Sequence, residues 1–527
     1  MTVPVRYVPT MMSGDEPAGR YFPHPIDTET HVDDSEWVPI VDGERYFAAI
    51  DEHLRAAGPG DTILASGLEI DPHIDLYGRD RADPGHVPLG TQFAQAAARG
   101  AEVRLLIASR VFPSSLPRSG LPFRDNAFHA DHLRRLPVRG HAEPPLRGRV
   151  LLDFSGALLG SNHQKTFVAH IDGRLTSFVS GIDLADHRWD AGPHRRLELE
   201  GKRWGWHDMV VRLRGPAARR VWDAFCERWA ETLTLPHEHW LASPRDRRRL
   251  NPPGALPPPP PAPPAAPVAN PGIAVRVLRS TFHRKVDSHL PFRRRQWDLI
   301  PSHGHQEIFT TLATAIGAAR RYVYIEDQYL EEAVGGEETF ELYPFLHAAA
   351  ARGVKVILVG SGTRDPEDVD FGGLEINRKI NDDLQTKIID PLSPPARGNV
   401  VLYRVENCTV HAKLVMVDDA FANIGSANMF SRSMYGTDSE MSAAVATSTT
   451  VVRDLRVEVW GEHLRAPITP SVRAALEDLD LALGIWRPAW LPEGAPATTW
   501  RTAGTPDGFA PDERAITLVG PHVQGAS

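Results

Sequence analysis

An α/β fold laid down twice in one chain is what this sequence predicts, and three observations predict it. A proline-rich segment divides the 527 residues into two halves of similar length. Each half runs through the same ordered series of amphipathic helix, apolar strand, and helix–Gly–strand unit. Each half then carries a His-x-Lys tripeptide, His163-Gln164-Lys165 and His411-Ala412-Lys413, at nearly the same place in that series.

The dividing segment runs from Pro252 to Pro271 and holds eleven prolines. Proline lacks the N–H that a ladder or helix needs, so an extended, semi-rigid connector is expected there. The expected boundaries are an N-terminal domain over 38–250, the linker over 251–272, a C-terminal domain over 273–490 and an irregular tail over 491–527; the chain before about Asp34 is also expected to be irregular. In the first half an amphipathic stretch, Tyr46–Ala57, precedes a strand, Thr62–Leu68; in the second, Ile308–Ala319 precedes Tyr322–Glu326. QAAARGAEVRLLIAS (95–109) then answers to HAAAARGVKVILVGS (347–361). Gly100 and Gly353 end their helices before β-branched runs, as βαβ units with parallel strands require. Their offset is 253 (353 − 100), and that of the two histidines is 248 (411 − 163).

Composition limits the function. Hydrophobic residues make up 42% of the chain, enough for two sizeable cores. The net charge is −9, from 58 basic and 67 acidic residues, which argues against a partner dominated by nucleic-acid phosphate. Two cysteines, Cys226 and Cys408, imply no disulfide framework and make no structural zinc site alone. No apolar run approaches a membrane span and no leader pattern opens the chain, so a cytoplasmic protein reaching any bilayer from outside is expected. No cluster of His, Cys and carboxylates appears at metal-ligand spacing, so neither metal nor cofactor is expected.

HAKLVMVDDAFANIGSAN (411–428) reads as strand, Asp418-Asp419 turn and return strand. Residues two apart on a strand share a face, which aligns His411 with Lys413 and Ser426 with Asn428. An imidazole, an ammonium, a hydroxyl and an amide in one small area suit a phosphate. In the first half His163 and Lys165 share a face, Asp172-Gly173 is a hairpin turn, and Leu175–Val179 returns. Gly181 offers room for close backbone approach to a ligand.

His411, Lys413, Asp418, Gly425, Ser426 and Asn428 together resemble the HxKxxxxD…GSxN signature of the phospholipase D superfamily. Glu440, in TDSE, sits where that family has an acidic residue. IEDQYL (325–330) is similar to its IENQYF segment, with Asp327 for Asn, and brings in Glu326 and Gln328. In the first half HQK, SGIDL (180–184, with Asp183), RWD (188–190) and WHD (206–208) resemble the lipid-cleaving members. The family aspartate should fall at residue 170, which is histidine here, with Asp172 two positions on; Ser180 stands in place of Gly.

The resemblance implies two α-β-α sandwich domains related by a pseudo-two-fold axis, with one phosphate between the two histidines. It implies phosphohistidine chemistry, with His163 attacking phosphorus and His411 protonating the leaving alcohol. Lys165, Lys413, Ser426 and Asn428 are then expected to hold the equatorial oxygens. Asp172, Gly181, Asp183, Gly425, Glu440, Glu326 and Gln328 are expected to bind substrate or support these groups, Glu440 by orienting a histidine. WHD reads as packing at a strand edge rather than chemistry. The implied activity is phospholipase D-like hydrolysis or head-group exchange on glycerophospholipids at a membrane surface. The alternatives are a cardiolipin-synthase-like phosphatidyltransferase, a nuclease and a decayed binding module.

Overall fold

The computed structural model describes residues 17–23, 30–108, 123–153, 161–185, 188–192, 194, 197–199, 202–234, 257–281, 305–330, 341–361, 383–405, 408–429, 431–435, 438–463, 469–490, 492 and 516–518. Strand β1 (Thr30–Val32) is followed in the first half by β2 (Glu36–Val41), β3 (Thr62–Gly67), β4 (Glu102–Ala108), β5 (Val150–Asp153), β6 (Lys165–Ile171), β7 (Arg174–Ser180), β8 (Leu197–Leu199), β9 (Lys202–His207) and β10 (Met209–Arg214). The second half supplies β11 (Ile273–Thr281), β12 (His305–Gln306), β13 (Tyr322–Glu326), β14 (Lys355–Ser361), β15 (Val400–Val405), β16 (Cys408–Val410), β17 (Leu414–Val417), β18 (Phe421–Gly425), β19 (Glu440–Thr447) and β20 (Ile516–Leu518).

Two large mixed sheets repeat one another, beside a small third sheet of β16, β9 and β8. The first runs β2-β10-β7-β6-β3-β4-β5 and the second β11-β19-β18-β17-β13-β14-β15, with β1 and β20 added at its two ends. In each, the helix–Gly–strand units make the parallel pairs, β3–β4–β5 and β13–β14–β15. The hairpins make the antiparallel ones, β6–β7 and β17–β18. The expected helices form as Gly43–Ala56 and Glu307–Ala318.

Period-two patterning sorts each strand between two cores. Ile63 and Ala65 face an outer core with Ile50 and Phe93, whereas Leu64 faces an inner core shared by both sheets. Val323 and Ile325 likewise pack outward, and Tyr322 and Tyr324 inward. The helix Pro216–Thr234 contributes Trp222, Phe225 and Trp229 to the inner core.

Three expectations need correcting or refining. The chain before Asp34 is not wholly irregular: β1 pairs with β11 of the second half, and Tyr21 and Phe22 are buried in that half's outer core. The tail also supplies β20, antiparallel to β15, because β15 would otherwise leave an open edge. The connector, where described, is extended and laid on the protein. Trp229 Nε1 donates to Pro257 O at 3.1 Å, Arg219 Nη1 to Pro263 O at 2.8 Å, and Val268 N to Asp34 O at 2.8 Å. Cys226 and Cys408 are both free thiols.

Candidate active site

Both His-x-Lys tripeptides lie at the mouths of strands rather than within them. β6 begins at Lys165 and β17 at Leu414, directly after Lys413. Each lysine folds back on its own histidine: Lys165 Nζ donates to His163 O at 3.0 Å and Lys413 Nζ to His411 O at 2.5 Å. The carbonyls fix ammonium groups that are almost wholly buried, each 2% exposed.

Each imidazole is held by a carboxylate from the opposite half. His163 Nδ1 lies 3.0 and 3.1 Å from the Glu440 oxygens, and His411 Nδ1 lies 2.6 Å from Asp208 Oδ2. The hairpin registers make the two carboxylates equivalent. Gly181 N donates to Met209 O after β7, as Ser426 N donates to Met441 O after β18, so Asp208 and Glu440 each precede the matched residue. With Nδ1 so engaged, Nε2 of each ring is left to face a ligand.

Burial and charge set the proton affinities. His411 is held well below the ordinary imidazole value, first by burial and then by Lys413, Arg188, Lys165 and His163. Charged groups of both motifs act on this one imidazole, Lys413 from its own tripeptide and Lys165 from the other. Burial lowers Lys413 to about 8, against the pull of Asp208 and Asp327. Burial raises Asp208 to about 6 and Asp327 to about 7, both tempered by Lys413. The Trp206 ring lies tilted against that of His411, with centroids 4.8 Å apart, and the Arg188 guanidinium lies 3.6 Å from the Trp206 ring centre.

The other expected residues divide. Asp183 is at the centre, its Oδ2 3.2 Å from Lys165 Nζ. Asn428 occupies the equivalent place in the second half, and its buried Oδ1 has no hydrogen-bond partner among the described residues. Ser426 is fully buried and does not face a ligand. Its hydroxyl donates to Glu440 Oε2 at 2.5 Å, and that of Ser433 to Oε1 at 2.6 Å, so both brace the carboxylate. Gly181 makes room for Asp208 rather than for a ligand: a Cβ there would lie 2.1 Å from Asp208 Oδ1. Gly425 is required by Ser442, whose Cβ would be 2.3 Å away. Asp327 is buried, accepts from Tyr329 N and Met429 N, both at 2.8 Å, and acts on Lys413; Gln328 beside it is half-buried.

Asp418 does not reach the cleft. It lies at the far end of β17, about 16 Å of extended strand beyond Lys413. Its φ of 55° is the left-handed turn conformation that aspartate tolerates. Its carboxylate accepts from Arg320 N (2.8 Å), Arg321 N (2.7 Å) and Tyr322 N (3.0 Å), and from Tyr21 and Arg20 side chains (3.1 Å each). It ties the hairpin to the loop entering β13. His170 holds the matching position, paired with Thr62. There Asp61, in the loop entering β3, accepts from Asp172 N at 3.1 Å and Gly58 N at 2.9 Å. The tie is kept with the carboxylate on the other partner. Asp172 is thus a turn residue that donates its N–H, not a substitute acid.

Glu326 also lies outside the cleft. It is buried against His207 Nε2 at 3.1 Å, His463 and the Tyr324 hydroxyl. Asp208 was missed as a functional residue, and its tryptophan and histidine neighbours did suggest mere packing. The usable signal was positional: Asp208 precedes the strand closing the first hairpin, as Glu440 opens the strand closing the second. The arginine runs 247–249 and 293–295 lie outside the described residues. Among the described residues no helix is long and apolar enough to cross a membrane.

A two-sheet α/β protein with paired, carboxylate-held His–Lys motifs is the class that fold and site define. A family model described as "Cardiolipin synthase, PLD-like domain" matches residues 312–460. Phospholipase D alpha 3 of Arabidopsis thaliana is 24% identical over 515 residues, covering 76% of this chain and 61% of its own length. Phospholipase D alpha 1 of Oryza sativa subsp. japonica is 27% identical over 252 residues, covering 38% of this chain and 30% of its own. The chain therefore spans less than two thirds of either relative. The fold is similar to that of phosphatidylserine synthase from Haemophilus influenzae Rd KW20, with a TM-score of 0.50 and 13% identity, over 81% of this chain and 85% of the other. The matched domain and the phospholipase D relatives make this chain similar to the phospholipase D superfamily.

Proposed function

We propose that this chain is a phosphodiesterase of the phospholipase D kind, cleaving the distal phosphodiester bond of glycerophospholipids. The observation that supports it best is the reciprocal pairing of His163 with Glu440 and His411 with Asp208 around two buried lysines. The diester anion sits between Lys165 and Lys413. His163 Nε2 attacks phosphorus and forms a phosphohistidine. His411 protonates the leaving alcohol and then takes a proton from the incoming water or alcohol. In the free protein burial, and then the surrounding cations, keep His411 neutral; the entering anion offsets the cations, so its protonation is coupled to substrate binding. Glu440 and Asp208 fix ring orientation throughout, a role that lowers the barrier without touching substrate.

The match to the cardiolipin synthase-type family model favours one second reading, the same chemistry with a lipid alcohol as acceptor. Incubation with mixed phospholipid vesicles, with and without a short primary alcohol and with phosphatidylglycerol as acceptor, separates the two. Free head group and phosphatidic acid support hydrolysis; a phosphatidylglycerol adduct formed in preference to phosphatidic acid supports the transferase. DNA cleavage in parallel reactions without lipid turnover would overturn both.

The pH profile follows from the site. Asp208 must be ionised to hold His411, and its raised value places the acid limb of kcat/KM near pH 6. Lys413 must be charged to bind the diester, and its lowered value places the alkaline limb near pH 8. Lys413→Arg, if active, is expected to lose the alkaline limb. A kcat/KM that stays level from about pH 5 to 9 contradicts these assignments.

A further inference from the structure

Behind Asp208, away from the diester cleft, lies a second constellation of titratable groups that the proposed chemistry does not use. Asp42, from the turn before helix Gly43–Ala56, meets His194, His207 at the end of β9, and Glu462 on helix Val451–His463. One ligand-type atom from each lies within 4.8 Å of all the others. His207 Nδ1 is 3.1 Å from Asp42 Oδ1 and 3.3 Å from Glu462 Oε1. His194 Nε2 is 3.7 Å from Asp42 Oδ2 and touches Glu462 Oε1. Four ligands at about 2.0 to 2.1 Å from a tetrahedral ion are separated by roughly 3.3 to 3.5 Å. The observed edges bracket that separation before any ion has drawn the groups in.

We propose that Asp42, His194, His207 and Glu462 form a structural site for a divalent transition-metal ion of the zinc type. Three features carry it. The donor set is two imidazoles and two carboxylates, whose charges balance a dication and whose chemistry suits tetrahedral zinc. The set is shielded: Asp42, His194 and His207 side chains are 8%, 7% and 1% exposed, and Glu462 20%. Each imidazole also has its distal nitrogen on a further carboxylate. His207 Nε2 lies 3.1 Å from Glu326 Oε2, and His194 Nδ1 lies 3.4 Å from Asp190 Oδ2. Carboxylate–histidine–metal relays of this form fix the tautomer and ring plane of metal-bound histidines. Glu326 is itself held by His463 and Tyr324, which makes a second layer.

The site joins the halves, with three ligands from the first and Glu462 from the second. The His207 carbonyl accepts the backbone N–H of His411 at 2.8 Å and of Ala412 at 3.1 Å. The ion would therefore steady the platform of His411 without touching substrate.

The test uses the full chain made without a polyhistidine tag, stripped with a chelator, dialysed, and titrated with Zn2+ or Co2+ alone. One equivalent per chain is expected, with the intense visible absorption of four-coordinate Co2+ and a melting temperature raised by Zn2+. Glu462→Gln, which keeps shape and hydrogen bonding, and His194→Ala are expected to abolish uptake. Glu326→Gln is expected to weaken it about 10- to 100-fold. Circular dichroism confirms that each variant is folded. If His194→Ala does not fold, Glu462→Gln and the wild-type cobalt spectrum decide. Failure of the wild-type chain to bind either ion, or uptake unchanged in Glu462→Gln, overturns the proposal and leaves a proton-balanced network of buried ion pairs. Neither readout depends on phospholipid turnover.

Discussion

His163→Ala, His411→Ala and the double variant are all expected to lose diester turnover to the same floor, about 10^4- to 10^6-fold below the wild-type chain. The equality is the informative part. Each histidine is oriented by a carboxylate from the other half, and His411 feels the charges of Lys165 and His163. Groups that act as one unit are non-additive: once the attacking imidazole is gone, removing the proton donor costs little more. Two independent centres would instead leave each single variant with about half its activity. The measurement is kcat on phospholipid vesicles for the three variants, with the melting temperature of each as a folding control. A single variant retaining a tenth or more of wild-type kcat would falsify the composite site. Asp208→Asn and Glu440→Gln are expected to fall short of that floor, at about 10^2- to 10^4-fold loss, because they disturb ring orientation rather than delete the ring.

Much of this arrangement was legible in the sequence because the signals were local. Gly100 and Gly353 both adopt positive φ, and the strands after them run parallel to their neighbours. The turns at Asp172-Gly173 and Asp418-Asp419 place both central residues at positive φ, which hairpins of this kind require. Adjacency in sequence also identified the His-x-Lys pairs. Illegible were the contacts made across the halves. Nothing near Asp208 shows that His411, 203 residues away, would meet it. The same holds for Asp42, His194, His207 and Glu462, which share no short spacing and become a cluster only when β9 and helix Val451–His463 pack together. Signature membership also misled about place. Ser426 and Asp418 belong to a motif that marks chemistry, yet one braces Glu440 and the other closes a turn.

That distinction makes Asp418→Ala the second informative substitution. Its carboxylate accepts five hydrogen bonds, three from consecutive backbone N–H groups of 320–322. Alanine leaves those donors facing an apolar methyl at a site that is only 7% exposed. The expected cost is about 2 to 3 kcal/mol, because five donors lose a charged acceptor, although the N–H groups of the exposed Arg320 and Arg321 can turn to water. For a chain of this size that corresponds to a fall in melting temperature of about 2 to 3 °C. Turnover by the molecules that remain folded is expected to stay within about threefold of the wild-type chain, since β17 separates this turn from Lys413. Asp61→Ala, which removes the reversed tie in the first half, is expected to cost only about 1 kcal/mol, because Asp61 accepts two bonds at an exposed turn. Thermal melts and kcat at a temperature well below both transitions check the pair. Should Asp418→Ala melt like the wild-type chain yet lose turnover, the carboxylate belongs to the chemistry after all. Should it melt early and turn over normally, the aspartate of the signature earns its place by holding the hairpin that presents Lys413 to the phosphate.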